Sequence, residues 1–352
     1  MNKILMKGNE AVAEAAIRAG CKCYFGYPIT PQNEVGAYMS EQIYDRGGVF
    51  LQAESEIGAI NMIYGCSATG TRCMTSSSSP GISLKTEGIS YIAGADLPAV
   101  IVSVQRGGPG LGTIQPSQAD YHQSTRAMGH GDLRLPVFAP YSVQEMVDMT
   151  SEAFDLAEEY RTPVIILADG LLGQMMEPVE FGPDNSDKPG KTFDWTTDGH
   201  MGKRDRNIIT SLRLHSEELE KTVNERSERF DKFAEKHTRS ESVNCDDADI
   251  VIVSYGSASR VVQSAMNMAR VEGLKVGTFR PITVSPFPNK AINEACKKAK
   301  KVLVVEMSLG QMIDDVKMAL EYKLPIEFYG RQGGFVPGPQ EILEKIKEMG
   351  GK

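Results

Sequence analysis

Apolar runs alternate with amphipathic segments along the first half of the chain, and this pattern predicts a strand–helix repeat. The expected strands are 22–27, 49–53, 71–76, 99–105 and 163–168, and the expected helices are 8–20, 31–43, 56–68, 80–93 and 142–160. Several of the strands are continuous β-branched runs, as in parallel sheets that helices cover on both faces. Residues 1–180 are therefore expected to form a doubly wound α/β domain.

A second α/β region follows a polar stretch. Residues 181–247 are rich in charged and turn-forming residues, and apolar positions at helical spacing within 216–236 predict a solvated amphipathic helix in a linker. From Asp249 the strand–helix alternation restarts, with a proline-rich loop expected at 281–288. The sequence thus predicts a smaller α/β domain over residues 248–352.

Charge and hydropathy narrow the class of function. The chain of 352 residues has a net charge of −8, which argues against a nucleic-acid-binding face. No apolar run approaches the roughly 18 residues that a membrane-spanning helix needs. The apolar stretch at the N-terminus is too short for a signal peptide. We expect a soluble cytoplasmic protein that has neither a nucleic acid nor a membrane as its partner.

The cysteines and histidines do not have the spacing of a metal site. The six cysteines include no C-x-x-C pair, and Cys21 and Cys23 alternate along an expected strand. His122 and His130 have no carboxylate or cysteine arranged beside them as further ligands. Buried thiols in a reducing compartment are the favoured interpretation. No metal site and no iron–sulfur cluster are therefore expected on this chain.

Polar groups follow three successive strands of the first domain at the points where the strands end. The stretch Tyr27-Pro28-Ile29-Thr30-Pro31 follows the first of them, Glu54 and Glu56 follow the second, and Arg106 follows a later one. Ligands of open α/β sheets bind at the carboxyl ends of the strands. A hydroxyl, a carboxylate and a guanidinium could therefore converge on one crevice.

Each of these groups also has a structural interpretation. Glu54 and Glu56 could simply occupy the first turn of a helix, where the macrodipole favours acidic residues. Alternatively, one of them lies close to a heterocyclic nitrogen and shares a proton with it. Arg106 could be a surface arginine on the glycine-rich loop that follows it, or it could hold a carboxylate by two parallel hydrogen bonds.

Two further stretches remain ambiguous on the residues alone. The glycines at 107–112 do not open a helix in the first strand–helix–strand unit, so they are a weak indication of a dinucleotide site. The hydroxyls of 75–79, with Gly81, stand at a strand-to-helix junction. They could bind an anion, and ordinary helix capping explains them equally well.

Taken together, these motifs resemble the α subunit of the 2-oxoacid:ferredoxin oxidoreductases. The resemblance is carried by Tyr27–Pro31, by Glu54-Ser55-Glu56-Ile57-Gly58-Ala59, by Thr75–Gly81 and by Arg106-Gly107-Gly108-Pro109, and it extends over nearly the whole chain. The order and spacing are most similar to the branched-chain form, which acts on 2-oxoisovalerate (3-methyl-2-oxobutanoate).

The resemblance implies a fold and a division of labour between subunits. The first domain would be a thiamine-diphosphate pyrimidine-binding domain, and the second would be similar to the transketolase C-terminal domain. A separate β subunit would supply the diphosphate and Mg²⁺ site, since this chain has no G-D-G motif followed by an asparagine pair. Iron–sulfur clusters would lie on partner subunits, ferredoxin-like and γ subunits would be among the partners, and the complex would be a dimer of hetero-oligomers.

The resemblance also implies roles for individual residues. Glu56 would bond the pyrimidine ring nitrogen and favour the imino tautomer of the neighbouring amine, and the resulting imine would take the thiazolium C2 proton. Thr30 and Arg106 would hold the 2-oxoacid, and Pro28 and Ile29 would lie near the pyrimidine. Oxidative decarboxylation would then give an acyl-coenzyme A and pass electrons to ferredoxin. Glu54 is the competing candidate for the role of Glu56.

Two other functions fit the same motifs. One is half of a non-redox thiamine-diphosphate enzyme, such as a transketolase-like protein or a decarboxylase, with the same glutamate and no cluster-bearing partner. The other is a subunit of the same fold that only supports the complex and has no catalytic role. The missing second cation in the motif region favours an apolar branched side chain on the substrate over the second carboxylate of 2-oxoglutarate.

Overall fold

Two α/β units follow each other along the chain in the computed structural model, which describes residues 3–350. The strands are β1 (Ile4–Lys7), β2 (Cys23–Gly26), β3 (Val49–Gln52), β4 (Cys73–Ser77), β5 (Ala99–Gln105), β6 (Val137–Phe138), β7 (Pro163–Asp169), β8 (Met176–Val179), β9 (Ser240–Val243), β10 (Ile250–Val253), β11 (Val276–Pro281), β12 (Thr283–Ser285), β13 (Lys301–Glu306) and β14 (Ile326–Gly330). The helices are α1 (Gly8–Arg18), α2 (Asn33–Gln42), α3 (Glu56–Ala68), α4 (Ser79–Gly94), α5 (Tyr121–Thr125), α6 (Val143–Tyr160), α7 (Gly170–Gln174), α8 (Ser216–His237), α9 (Ala258–Val271), α10 (Asn289–Ala295), α11 (Met312–Ala319) and α12 (Pro339–Gly350).

The first sheet reverses its strand order between β2 and β4. Its seven strands lie in the order β12-β6-β7-β5-β4-β2-β3. All neighbours from β6 to β3 are parallel, and only β12 is antiparallel. The chain passes from β2 to β3 on one side and then returns to β4 on the other side. A crevice for a ligand is expected outside the carboxyl ends of strands at such a point.

Helices cover both faces of this sheet, and the packing explains the continuous apolar runs. Every residue of β5 and of β7 is buried. Val100 and Val102 pack in a core cluster with residues of α1 and α6, whereas Ile101 packs in the cluster that includes α3 and α4. Because successive side chains of a strand point to opposite faces, both faces of β5 must be apolar.

The second sheet shares a hydrophobic core cluster with the first domain. Its order is β14-β13-β10-β11-β9, with only β9 antiparallel. The cluster that contains Ile101 also contains Val251 and Val304. Buried hydrogen bonds cross the same boundary: the Gln118 side-chain amide donates to the Tyr255 carbonyl (2.7 Å), and the Ser257 hydroxyl donates to Asp169 (2.5 Å).

The structure departs from the expected elements near residue 283. The prediction of a proline-rich loop over 281–288 is wrong at the centre of that range, because Thr283–Ser285 forms β12 and pairs with β6 of the first sheet. Backbone pairing with Phe138 and Val137 outweighs the turn signal of the flanking prolines. The stretch expected as a linker, 181–247, contains α8 and also β9, which pairs with β11.

The amphipathic helix expected within 216–236 is present as α8, and one side chain anchors it. Among its 22 residues only Phe233 is fully buried. The Phe233 ring packs edge-on against Tyr160 and Phe138, with centroid distances of 5.2 and 6.2 Å. Arg226 and Arg229 add ion pairs to Asp96 of the first domain. A cavity of about 640 Å³ lies along this seam, near the amino ends of the strands.

Within residues 3–350, no helix combines the length and the apolar character needed to cross a bilayer. The longest helix, α8, carries charged residues along most of its length.

The anchoring role of Phe233 gives a first prediction. Phe233→Ala should lower the free energy of unfolding by about 3–5 kcal/mol, because it leaves a cavity in a well-packed aromatic cluster. Urea denaturation followed by circular dichroism measures the change. The matched control on the same helix is Leu219→Ala, which removes an exposed side chain and should change the free energy by less than about 0.5 kcal/mol. Equal effects of the two substitutions would show that α8 is not held through Phe233.

Candidate active site

The candidate residues converge on the carboxyl ends of β2, β3, β4 and β5, on both sides of the strand-order reversal. Glu56 is the first residue of α3, which follows β3. Arg106 follows β5 directly, and Thr30 lies in the loop between β2 and α2. The Arg106 guanidinium donates from Nη1 to the Thr30 carbonyl at 2.8 Å. Residues far apart in the sequence therefore meet where the sheet topology predicts a crevice.

Glu56 is a buried carboxylate between two helix N-termini. Ser55 caps α3, and its hydroxyl accepts a hydrogen bond from the Gly58 amide at 3.1 Å. The Glu56 side chain is only 6% exposed and lies against Gly81 in the first turn of α4. A Cβ at position 81 would lie 2.7 Å from Glu56 Oε1 and 2.2 Å from the Ser77 hydroxyl, so only glycine leaves room for this carboxylate. Both helix dipoles favour a negative charge here.

The surroundings of Glu54 and Glu56 differ. Glu54 is exposed, and its carboxylate lies beside Gly58 on the outside of the first turn of α3. Glu56 points inward, and its carboxylate accepts no hydrogen bond from any residue between 3 and 350. A buried carboxylate with free oxygens needs an external donor or a nearby cation. Of the two, Glu56 is the one placed to meet a ligand.

Arg106 is buried and is not a surface side chain on a flexible loop. It is 8% exposed, and besides Thr30 it donates from Nη2 to the Leu111 carbonyl at 3.0 Å. Its Nε atom is buried and has no hydrogen-bond partner within the described chain. Both of its protein acceptors are neutral carbonyls and take up two of the five N–H donors, so the buried Nε–H and a second N–H can still bind a ligand.

The sequence analysis missed a polar cluster beside Arg106. The Ser79 hydroxyl donates to Asp120, and it also accepts from the Arg106 amide at 3.1 Å. Burial raises the pKa of Asp120, while the Ser79 hydroxyl and the Arg106 charge lower it. Asp120 stands in a polar loop with no periodic pattern, so only the folded chain shows that it approaches Arg106.

The second residue that the sequence analysis missed is Lys85. It is fully buried on α4, and its ammonium group donates to the Thr75 hydroxyl at 2.6 Å and to the Ser76 carbonyl at 3.1 Å. Burial lowers the pKa of Lys85 to about 7, and the charge of Glu56 opposes that shift. The sequence contains a signal for it, since Lys85 lies at helical spacing within the apolar stripe of Ile82 and Ile89.

The remaining motif residues have simpler surroundings. Ser78 precedes α4, but its side chain makes no capping hydrogen bond, and the Ser77 and Ser78 hydroxyls are buried without partners among the described residues. The Ser77 and Ser78 hydroxyls therefore do not cap α4. In the loop after β2, Pro28 is exposed and Ile29 is half-buried.

This set of groups fits a ligand that presents a hydrogen-bond donor and an anionic group. Glu56 provides a buried carboxylate that can accept from the donor, and Arg106 provides a cation with a free donor. Within residues 3–350, no group of three or more His, Cys, Asp or Glu side chains is arranged to hold a metal ion. The described chain thus offers part of a site for an organic ligand.

Two family models match the chain, one after the other. The thiamine-diphosphate-binding domain of the pyruvate flavodoxin/ferredoxin oxidoreductases matches residues 14–242. Core domain II of pyruvate:ferredoxin oxidoreductase matches residues 248–342. Both models fall on the two α/β units that the structure contains.

Relatives of known name cover almost the whole chain. The ketoisovalerate oxidoreductase subunit VorB of Methanothermobacter thermautotrophicus is 48% identical and is matched over 99% of this chain and 98% of its own length. The 2-oxoglutarate synthase subunit KorA of Methanothermobacter marburgensis is 38% identical, with 98% of each chain covered.

Solved structures agree with the sequence relatives. The 2-oxoglutarate:ferredoxin oxidoreductase from Magnetococcus marinus superposes with a TM-score of 0.88 and 29% identity over 99% of this chain, which spans 65% of that longer chain. A split-gene transketolase superposes with a TM-score of 0.60 at 14% identity, with 97% of each chain covered, and shows a shared fold.

The predicted fold, a pyrimidine-binding domain followed by a transketolase-like α/β domain, is confirmed. The predicted resemblance to the 2-oxoacid:ferredoxin oxidoreductases is also confirmed. The prediction of a redox enzyme therefore holds, and the non-redox alternative does not. The chain belongs to the 2-oxoacid:ferredoxin oxidoreductases, as the subunit that carries their thiamine-diphosphate-binding domain.

Proposed function

We propose that the chain is the α subunit of an oxidoreductase that converts a branched-chain 2-oxoacid, 2-oxoisovalerate above all, into its acyl-coenzyme A. The electrons would pass to ferredoxin. The substrate class is supported by the relatives, because those named for ketoisovalerate are 48% identical and those named for 2-oxoglutarate are at most 38% identical. The observation that carries the catalytic part is the buried, unpaired carboxylate of Glu56 at the strand-order reversal.

Glu56 would act on the pyrimidine ring of thiamine diphosphate. When bound, this cofactor supplies the carbon nucleophile and the electron sink that decarboxylation of a 2-oxoacid requires. Glu56 would hold a proton at the ring nitrogen, and its rigid position at the start of α3 fixes the direction of that hydrogen bond. Pro28 and Ile29 would contact the ring from the loop after β2, since β2 lies between β3, which leads to Glu56, and β4.

Arg106 and Thr30 would bind the substrate. The free Nε donor and the positive charge of Arg106 suit the carboxylate of a 2-oxoacid, and the guanidinium is already oriented by the carbonyls of Thr30 and Leu111. Among residues 3–350, the Thr30 hydroxyl accepts only a long hydrogen bond from Asn33, at 3.4 Å, and it can turn to a substrate oxygen. Orientation of the substrate by such fixed groups contributes to catalysis.

The rest of the active centre would come from partner chains. Large apolar side chains beside the site are exposed, among them Ile57, Leu84, Leu111 and Ile114. Exposed apolar residues around a functional site indicate a protein–protein contact. We propose a β subunit with the diphosphate and Mg²⁺ site and iron–sulfur clusters on partner subunits, with ferredoxin-like and γ subunits among the partners.

The domain limits and the assembly are also proposals. We assign residues 1–180 to the pyrimidine-binding domain, 181–247 to the linker and 248–352 to the transketolase-like domain. The two family matches, over 14–242 and 248–342, support a boundary near residue 248. A cytoplasmic dimer of hetero-oligomers would complete the enzyme.

Substitution of Glu56 tests the catalytic assignment. In the complex reconstituted with its partner subunits, Glu56→Gln should lower 2-oxoacid-dependent dye reduction about a hundredfold or more, because the amide cannot exchange a proton with the ring nitrogen. The matched control is Glu54→Gln, which alters the exposed carboxylate two residues away and should retain activity. Full activity of Glu56→Gln in an assembled complex would refute the assignment.

Substitution of Arg106 tests the substrate contact. Arg106→Lys should raise the KM for the 2-oxoacid about tenfold or more, because lysine cannot form two parallel hydrogen bonds to a carboxylate. Steady-state kinetics with separate variation of both substrates measures this. The KM for coenzyme A should change less than about twofold. A similar rise in both KM values would indicate a disturbed loop and not the loss of a substrate contact.

Substrate profiling tests the proposed class. We expect kcat/KM to be highest for 2-oxoisovalerate among 2-oxoisovalerate, pyruvate and 2-oxoglutarate. The value for 2-oxoglutarate should be lower by about a hundredfold, because a second carboxylate would be buried without a cation. A preference for 2-oxoglutarate in the reconstituted complex would contradict the branched-chain assignment and leave the role of Glu56 untouched.

A further inference from the structure

Lys85 occupies a position that an apolar residue would fill at lower cost. Its side chain has no exposed surface, and it lies on the buried face of α4 with Ile82 and Ile89. Burying an ammonium group costs free energy that a methionine of similar size does not cost. Its three donors meet two oxygens of β4, the Thr75 hydroxyl and the Ser76 carbonyl. These contacts leave the positive charge without a carboxylate in direct hydrogen-bond contact.

The geometry of α4 directs this ammonium group toward Glu56. Lys85 is one helical turn after Gly81, and helical side chains lean toward the N-terminus of their helix. Gly81 is the residue against which Glu56 Oε1 packs. The charge of Glu56 acts on Lys85 and raises its pKa against the larger effect of burial, which brings it to about 7. Among residues 3–350, Glu56 is the charged group whose effect on Lys85 is resolved, and β4 contributes neutral partners.

We propose that Lys85 is a positioning residue of the active site, whose ammonium group keeps the carboxylate of Glu56 ionised and aimed at the ring nitrogen of the cofactor. The inference rests on the proposed function. The ionised carboxylate is the form that accepts a hydrogen bond from a protonated ring nitrogen. Lys85 itself does not touch cofactor or substrate; it acts through Glu56, and the Thr75 hydroxyl anchors it from the other side.

The network behind Lys85 fixes its position. The Thr75 hydroxyl that accepts from Lys85 donates in turn to the Phe25 carbonyl at 2.6 Å. Phe25 belongs to β2 and Thr75 to β4, so the chain of hydrogen bonds joins the two strands at which the strand order reverses. A methionine at position 85 would fill the same space and lose both the charge and the two hydrogen bonds to β4, whereas a glutamine would lose the charge and keep a donor. Such a variant separates an electrostatic role from a structural one.

The test compares Lys85→Met with the wild-type chain in the reconstituted complex, without and with thiamine diphosphate. Infrared difference spectra, with the Glu56→Gln complex as the reference that identifies the Glu56 band, report the ionised fraction of Glu56 before cofactor is added. At pH 6, where Lys85 is charged, the wild type should show a larger ionised fraction than Lys85→Met. Exchange of the thiazolium C2 proton for deuterium should be about tenfold slower in the variant, since a nearby opposite charge changes a carboxyl equilibrium by one pKa unit or more.

The sign of the pH dependence distinguishes this role from general support of the fold. Lys85 loses its charge as the pH rises through about 7, so wild type and Lys85→Met should converge at pH 8.5 in both measurements. A ratio that stays the same at pH 6 and pH 8.5, or an unchanged Glu56 band at pH 6, would overturn the proposal. Lys297→Met, which removes an exposed charge, is the matched control and should change neither.

A second variant covers the case in which methionine prevents folding. Lys85→Gln keeps a donor for the Thr75 hydroxyl and has no charge, so it should show the same spectral change as Lys85→Met. The two proposals fail differently. Full activity of Glu56→Gln removes the catalytic assignment of Glu56, whereas an inactive Glu56→Gln together with an unchanged Glu56 band in both Lys85 variants removes only the role of Lys85.

Discussion

The site depends on the burial of one negative charge where two helices begin. Glu56 opens α3, and the first turn of α4 accepts it only because Gly81 has no side chain. Burial of a lone carboxylate is expensive. Here two helix dipoles and the ammonium group of Lys85 offset the cost. The strand-order reversal brings these helix ends together, so the topology of the sheet creates the electrostatics of the site.

The second domain contributes to the site without supplying a candidate residue. Arg106 begins a polar loop whose far end is hydrogen-bonded to the second domain. The backbone amide of Gln118 donates to the Met307 carbonyl at 2.8 Å, and the side-chain oxygen of Gln118 accepts from the backbone amide of Met307 at 3.0 Å. Glu306, which precedes Met307, is fully buried and accepts hydrogen bonds from the first turn of α11. A rigid strand end in one domain therefore holds the arginine loop of the other.

The sequence predicts the long buried elements well, because burial on both faces leaves an unambiguous apolar run in strands such as Ala99–Gln105. It also places Glu56, Thr30 and Arg106 near strand ends, although Glu54 remains the alternative to Glu56 on the sequence pattern. It misses Asp120 and β12, because the first depends on a loop folding back and the second on pairing with a distant strand. The sequence shows Lys85 as a polar residue in an apolar stripe, but only the packing of Glu56 against Gly81 in the folded chain places a carboxylate near it.

One edge strand of the first sheet comes from within the second domain, after β10, α9 and β11. β12 pairs with β6, although α6, α8 and the whole linker lie between them in the chain. During synthesis on the ribosome, β6 emerges long before its partner, and an unpaired strand edge is open to wrong contacts until Thr283–Ser285 follows. A gene split at the linker would leave β6 as the edge of the first sheet in place of β12.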